Sequence, residues 1–135
     1  MAFFIWKDDY SVKVNQLDDQ HKRLFTMLDE VYDKMMEFKG GETVASVLSG
    51  IVNYTMTHLA DEERLMQSYG YPEYATHKLA HDNLKARVQE YLDKEARGER
   101  VDLIDVALFL KNWLFSHIAE VDKRYSAYFN SQGLS

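Results

Sequence analysis

The sequence contains no cysteine. That removes disulfides, zinc–thiolate sites, iron–sulfur clusters and thiol nucleophiles together, and it fits a reducing compartment. Proline occurs once and glycine six times in 135 residues, which favours long helices over a turn-rich β fold. No stretch approaches the roughly 18 apolar residues needed to cross a bilayer. The start, MAFFIWKDDYS, lacks the basic region and long apolar run of a secretory signal. No Lys/Arg cluster occurs either, and the formal net charge is −6. That balance disfavours nucleic acid and anionic membranes. A soluble, cytoplasmic protein is expected.

What is present is a 46% apolar, 28% charged chain of single-domain size. Four segments carry helical periodicity, at about 18–38, 42–67, 72–96 and 102–128. Their apolar stripes are Leu24, Phe25, Leu28, Val31, Met35 and Phe38; Val44, Val47, Leu48, Ile51, Thr55, His58, Glu62 and Leu65; His77, His81, Leu84, Val88 and Tyr91 or Leu92; and Val106, Leu110, Trp113, His117 and Val121. Asp18 and Asp102 suit N-caps, KGG at 39–41 suits a stop, and Pro72 suits a first helical position. Short loops make sequential helices antiparallel neighbours. The expected fold is all-α, one domain over 1–135: an up-down-up-down four-helix bundle with residues 1–17 as an N-terminal arm anchored by Trp6, Val12 and Val14. The polar tail after Tyr128 is expected to fray.

The five histidines are His21, His58, His77, His81 and His117. Each falls on or beside a buried stripe, and together they occupy all four helices. A single histidine on an apolar face is more often a hydrogen-bonded core residue than a ligand. Five in one small core are costly unless their nitrogens have partners, and metal ions would supply them. Glu62, on the inner stripe, follows the same logic. His77 and His81 are i, i+4 and can reach one metal from one face. His58 and Glu62 share that spacing. His117 has no acid at i+4; Asp122 is at i+5, about 140° around a straight helix. Asp122 is therefore either a surface charge or a residue carried inward by a distortion such as a π-bulge. Imidazoles with one or two carboxylates and no sulfur suit iron, zinc, manganese, copper or nickel rather than calcium or magnesium.

The stretches DDQHKRLF (18–25), HLADEERLM (58–66), YPEYATHKLAH (71–81) and WLFSHIAEVDKRY (113–125) occur one per helix. With the Trp6 arm, the chain resembles the hemerythrin family over nearly its whole length, and more particularly its bacterial single-domain members. The resemblance implies a non-haem di-iron centre. His77, His81 and His117 would hold one iron; His21 and His58 would hold the other, which keeps an open position. Glu62 and Asp122 would bridge the irons, with an oxo or hydroxo group as third bridge. The implied activity is reversible O2 binding, as carrier, store or delivery protein. Such a protein is not an enzyme, beyond weak peroxidase or oxidase side activity. The alternatives are an O2- or redox-sensing domain of a signalling protein, or a di-iron enzyme of peroxidase, oxidase or nitric-oxide chemistry. Besides O2, an unidentified protein partner for delivery or signalling is compatible with either.

Leu24, Phe25, Leu59, Trp113, Leu114 and Ile118 are candidates for a dry pocket over the open iron, although ordinary core packing accounts for each equally well. The family often has Phe directly after the histidine that Leu59 follows, and also Phe where Leu84 follows His81. Both replacements are apolar; the smaller Leu59 bears on pocket volume. Asp61 and Glu63 are expected to face water. Met35, Met36, Met56 and Met66 are read as core or boundary packing.

Overall fold

Residues spaced three and four apart are the ones that go inside. The computed structural model describes residues 5–36 and 41–135. Helix α1 spans Asn15–Met36, α2 Gly41–Ser68, α3 Tyr74–Ala96 and α4 Leu103–Ser116. A π-helical segment, His117–Val121, follows α4 directly, then a 3-10 turn, Asp122–Tyr125, and a short helix α5, Ser126–Ser131. The four long helices form an antiparallel four-helix bundle, with α1 against α2 and α4 and α2 against α3 and α4. No strand occurs among the described residues, and no described helix is long and apolar enough to cross a membrane. The expected positions Phe38, Lys39 and Gly40, and the side chains of Met35, Met36, Val44 and Val47, lie outside the described residues.

The core divides into two apolar clusters. One gathers Leu24, Phe25, Leu28, Val31, Leu48, Ile51, Leu59, Leu84, Val88, Val106, Leu110, Leu114 and Ile118. The other gathers Val12, Val14, Leu17, Met66, Tyr71, Tyr125 and Phe129. Along α1, Leu17 and Leu24 belong to different clusters and His21 lies between them. Glu62 lies likewise between Leu59 and Met66, His77 and His81 between Tyr71 and Leu84, and Asp122 between Ile118 and Tyr125. The polar residues thus form one layer across the bundle, with hydrocarbon above and below.

Several local readings change. Asp18 is not the N-cap of α1. The helix starts earlier, at Asn15, and Asp18 already donates its backbone N–H to the Val14 carbonyl at 2.9 Å. Its carboxylate reaches back to the arm, accepting from Ser11 Oγ at 2.6 Å and from the Val12 N–H at 2.8 Å. Lys13 between the two buried valines has φ 60°, the left-handed kink that lets Val12 and Val14 both turn inward. Pro72 precedes α3 by two residues, because Tyr71 and Gly70 still close α2: the Tyr71 N–H bonds the Met66 carbonyl at 2.8 Å, and Gly70 has φ 65°, the left-handed cap glycine accepts at no steric cost. Leu92 is exposed, leaving Tyr91 half-buried on the α3 stripe. Asp102 does cap α4, accepting from the Ile104 N–H at 3.0 Å. The fourth helix does not run unbroken to Tyr128, because the π segment interrupts it.

The tail is also held. Phe129 is fully buried, Leu134 packs on its cluster, and the Asn130 side-chain amide donates to the Lys13 carbonyl at 2.9 Å. Apolar residues at Phe129 and Leu134 outweigh the polar composition around them. Trp6 packs on Phe25 and Tyr10, with ring centroids 5.6 and 5.9 Å away.

Replacing Asp18 with alanine removes both hydrogen bonds between arm and α1. It should lower stability by about 1–3 kcal/mol and alter Trp6 fluorescence as the arm loosens. Asp19→Ala, at the exposed neighbouring position, should stay within roughly 0.5 kcal/mol of the parent. Equal thermal midpoints for the two variants would remove the tethering role.

Candidate metal centre

Each helix contributes to the polar layer at a position its own periodicity turns inward. His21 comes from α1, His58 and Glu62 from α2, and His77 and His81 from α3. His117 opens the π segment. The Asp122 N–H bonds the His117 carbonyl, five residues back. The turn is widened by one residue, and this brings Asp122 to the face that His117 occupies. All seven side chains are buried, and His21, Glu62, His81 and Asp122 are fully so.

The donor atoms form two groups, each within a 4.8 Å span: Glu62, His77, His81, His117 and Asp122 in one, and His21, His58, Glu62 and Asp122 in the other. The carboxylates belong to both, and their oxygens divide between them. Glu62 Oε1 lies 2.5 Å from His58 Nε2 and 3.4 Å from His21 Nε2, whereas Oε2 lies 3.3 Å from His77 Nε2 and 3.9 Å from His81 Nε2. Asp122 Oδ2 is 3.2 Å from His21 Nε2, whereas Oδ1 is 3.0 Å from His77 Nε2 and 2.9 Å from His117 Nε2. In each group two imidazole nitrogens also face one another, His81 and His117 at 3.1 Å and His21 and His58 at 3.0 Å.

These atoms are close without being mutually satisfied. Glu62 Oε2, His77 Nε2 and both Asp122 oxygens are buried and have no hydrogen-bond partner. Buried polar atoms are normally paired, and leaving a carboxylate oxygen unpaired costs about 1–3 kcal/mol or more. Lone pairs aimed at a common point, at nitrogen and oxygen only, are the donor set of a borderline or hard transition metal. The residues present fit such ions.

The far ring nitrogens are set from outside. His58 Nδ1 donates to Gln20 Oε1 at 2.5 Å, and Gln20 in turn donates through Nε2 to Asp61 at 2.9 Å. His81 Nδ1 donates to Glu63 Oε2 at 2.9 Å, and Lys85 stands 3.5 Å from the same oxygen. Each bond fixes the proton on Nδ1 and leaves the inward Nε2 a lone pair. Two rings are held by stacking as well, His77 on Tyr125 at 5.6 Å and 11° and His117 on Trp113 at 4.2 Å and 15°.

The carboxylates control the protonation of the layer. For Glu62, burial alone would raise the carboxyl, but the adjacent imidazoles of His58, His21 and His77 outweigh it and hold it well below its ordinary value. Asp122 is lowered likewise: burial and Glu62 oppose ionisation, and His117 and His21 overcome them. Burial works against protonated His21 and His77, yet the nearby Asp122 and Glu62 push both up to about 9. Burial dominates at His81 and lowers it. Tyr125 rises well above the ordinary phenol range through burial, then through Asp122.

Two expectations need correction. Glu63 does not face water: its side chain is 13% exposed and holds His81. Asp61, 18% exposed, pairs with Arg64 at 2.9 Å as well as with Gln20. Residues one step either side of the inner stripe land in the grooves beside α1 and α3. Trp113, grouped by sequence with the pocket residues, stacks on His117 and so sits against the three-histidine half; it also borders an open groove of about 420 Å³ lined by Phe109, Ser116 and Glu120. Leu24, Phe25, Leu59, Leu114 and Ile118 are all buried in the same apolar cluster. Gln20 was not singled out by sequence; its signal was its place directly before His21.

Comparison with known proteins agrees with this geometry. Residues 12–129 match the family model "Hemerythrin HHE cation binding domain". The bacteriohemerythrin of Stenotrophomonas maltophilia is 35% identical over 93% of this chain and 81% of its own length. The myohemerythrin of Sipunculus nudus is 32% identical over 90% of each chain. A crystal structure of wild-type hemerythrin superposes with a TM-score of 0.84 at 31% identity, covering 93% of this chain and 97% of its own. A polar layer of buried histidines and split carboxylates on four antiparallel helices, matched over nearly the full length, places this chain in the hemerythrin HHE cation binding domain family.

Proposed function

We propose that the protein binds O2 reversibly at a di-iron centre, as a carrier, store or delivery protein. The observation that carries this reading is the division of the Glu62 and Asp122 oxygens between two histidine groups. A carboxylate that turns one oxygen each way is built to bridge two cations and to neutralise charge at both. In this reading His77, His81 and His117 hold one iron. His21 and His58 hold the other, with fewer protein donors and so an open position. When bound, the ferrous pair supplies the electrons that O2 takes up.

The rest belongs to the chain. Neutral imidazoles outnumber carboxylates, which favours the ferrous pair and hence binding over O–O cleavage. Leu24, Phe25, Leu59, Leu114 and Ile118 exclude water beside His21 and His58. The groove that reaches His117 lies on the half already filled by three histidines. Family members are O2-binding proteins in general, and that supports a binding role ahead of a catalytic one.

The decisive experiment is anaerobic loading with ferrous iron, followed by visible spectra as O2 is admitted and removed. Two irons per chain, with a charge-transfer band that comes and goes with O2, is the expected result. Two irons oxidised irreversibly without the band would favour an enzyme, and fewer than two would overturn the centre. Asp122→Ala should lose iron while the helical circular dichroism is kept; two retained irons and an unaltered spectrum would return Asp122 to a purely structural role.

Loading should also release protons. His21 and His77 of the metal-free chain, raised to about 9, carry protons at neutral pH that a metal must displace. Their raised values stabilise the metal-free fold fully below pH ~6.5, and that contribution is lost as pH rises through about 9. The metal-free thermal midpoint should therefore fall across this window, while metal uptake tightens. A flat midpoint together with pH-independent uptake would contradict the protonation pattern.

A further inference from the structure

The two histidine groups differ in what holds their outer nitrogens. On the three-histidine side His81 Nδ1 meets a carboxylate oxygen of Glu63 at 2.9 Å. On the other side His58 Nδ1 meets the neutral amide oxygen of Gln20 at 2.5 Å, and the nearest acid in that relay, Asp61, stands one residue further out. A full negative charge thus touches one imidazole directly, while the other is separated from its acid by an amide. Glu63 is largely withdrawn from water, 13% exposed, and its one cationic neighbour, Lys85, is 40% exposed at 3.5 Å.

A carboxylate accepting from a ligating imidazole gives the ring anionic character and makes it a stronger donor. Stronger, more anionic donation stabilises the ferric ion over the ferrous one. A neutral amide fixes the same tautomer without that bias. On the di-iron reading above, we infer that Glu63 and Gln20 are positioning residues that make the two irons inequivalent. Glu63, acting through His81, favours ferric iron in the three-histidine position, and Gln20, acting through His58, leaves the open iron more easily kept ferrous. When an outer-sphere acceptor withdraws one electron from the diferrous centre, that electron leaves the His81-bound ion first. Oxygen therefore meets a centre whose open ion is protected from one-electron loss, which bears directly on reversibility.

The arrangement separates charge from hydrogen bonding by substitution. Glu63→Gln keeps an acceptor for His81 Nδ1 and removes the charge. Glu63→Leu removes both. Gln20→Glu adds the charge on the other side. Lys85→Ala breaks the Glu63–Lys85 contact while leaving Glu63 on His81, which controls for loss of the ion pair.

The test is a spectroelectrochemical titration of the iron-loaded variants, with iron counted per chain. A nitrogen-15 spectrum of each zinc-loaded variant gives a second readout that does not depend on redox activity. Glu63→Gln should keep two irons and the His81 Nδ1–H signal. It should raise the first one-electron step by a tenfold shift in ferric-over-ferrous preference or more, ~59 mV for a one-electron couple, with the second step little moved. Gln20→Glu should lower the second step. Glu63→Leu should lose the Nδ1–H signal and weaken metal binding roughly 10–100-fold. Lys85→Ala should leave the first step unchanged or lower it. The inference fails if Glu63→Gln leaves the first step in place, if it moves both steps equally, or if Lys85→Ala reproduces it. An unsubstituted protein that takes up fewer than two irons overturns the di-iron reading, and this inference with it.

Discussion

Seven ionisable or ligating side chains taken out of water in one layer is the constraint on which the rest of the structure depends. Moving even one charge into a protein interior costs several kcal/mol unless it is paired, and here two carboxylates remain ionised with few hydrogen bonds between them. The fold tolerates this because hydrocarbon seals the layer from both ends. The larger cluster closes one side; the arm and the C-terminal segment close the other. Val12, Val14, Tyr125 and Phe129 come from opposite ends of the chain and meet only there. The arm and tail are thus part of the centre's insulation rather than appendages to the bundle.

The same constraint explains the ring of contacts outside the layer. An imidazole that ligates through Nε2 has a second nitrogen to satisfy, and a loose one would turn. Gln20, Glu63, Tyr125 and Trp113 each remove that freedom from one ring, two by hydrogen bonds and two by stacking. All four sit on residues adjacent to, or within a turn or two of, a layer residue. Rigid placement of this kind is what lets lone pairs stay aimed at a point rather than collapsing onto each other.

Much of this was legible in the sequence, and the limits have physical reasons. The i, i+4 pairs His58/Glu62 and His77/His81 follow directly from helical geometry, and so does the four-helix architecture. Asp122 could not be placed by spacing, because spacing assumes a regular helix and His117–Val121 is not one. Family resemblance, not periodicity, pointed to it. Glu63 was misread because a helical wheel has no neighbours: its angle from Glu62 suggests solvent, and only the approach of α3 turns that position into an interface. The start of α1 was placed three residues late because Asp18 has the chemistry of a cap but uses it from inside the helix. The tail was read by composition, which cannot register that Phe129 and Leu134 find a pocket.

The π segment carries one residue more than the helical ladder needs, and that surplus sets the phase of everything after it. Asp122, Tyr125 and Phe129 all follow it in the chain, so a helix that healed to regular winding would rotate all three by about 100°. The metal-facing acid, the ring under His77 and the plug of the arm-side cluster would leave their places together. These three functions are geared to a single tooth. A one-residue deletion between His117 and Asp122 is therefore not a local change, since it uncouples the site from its own lid. A lineage that kept one of these features would have had to keep the count.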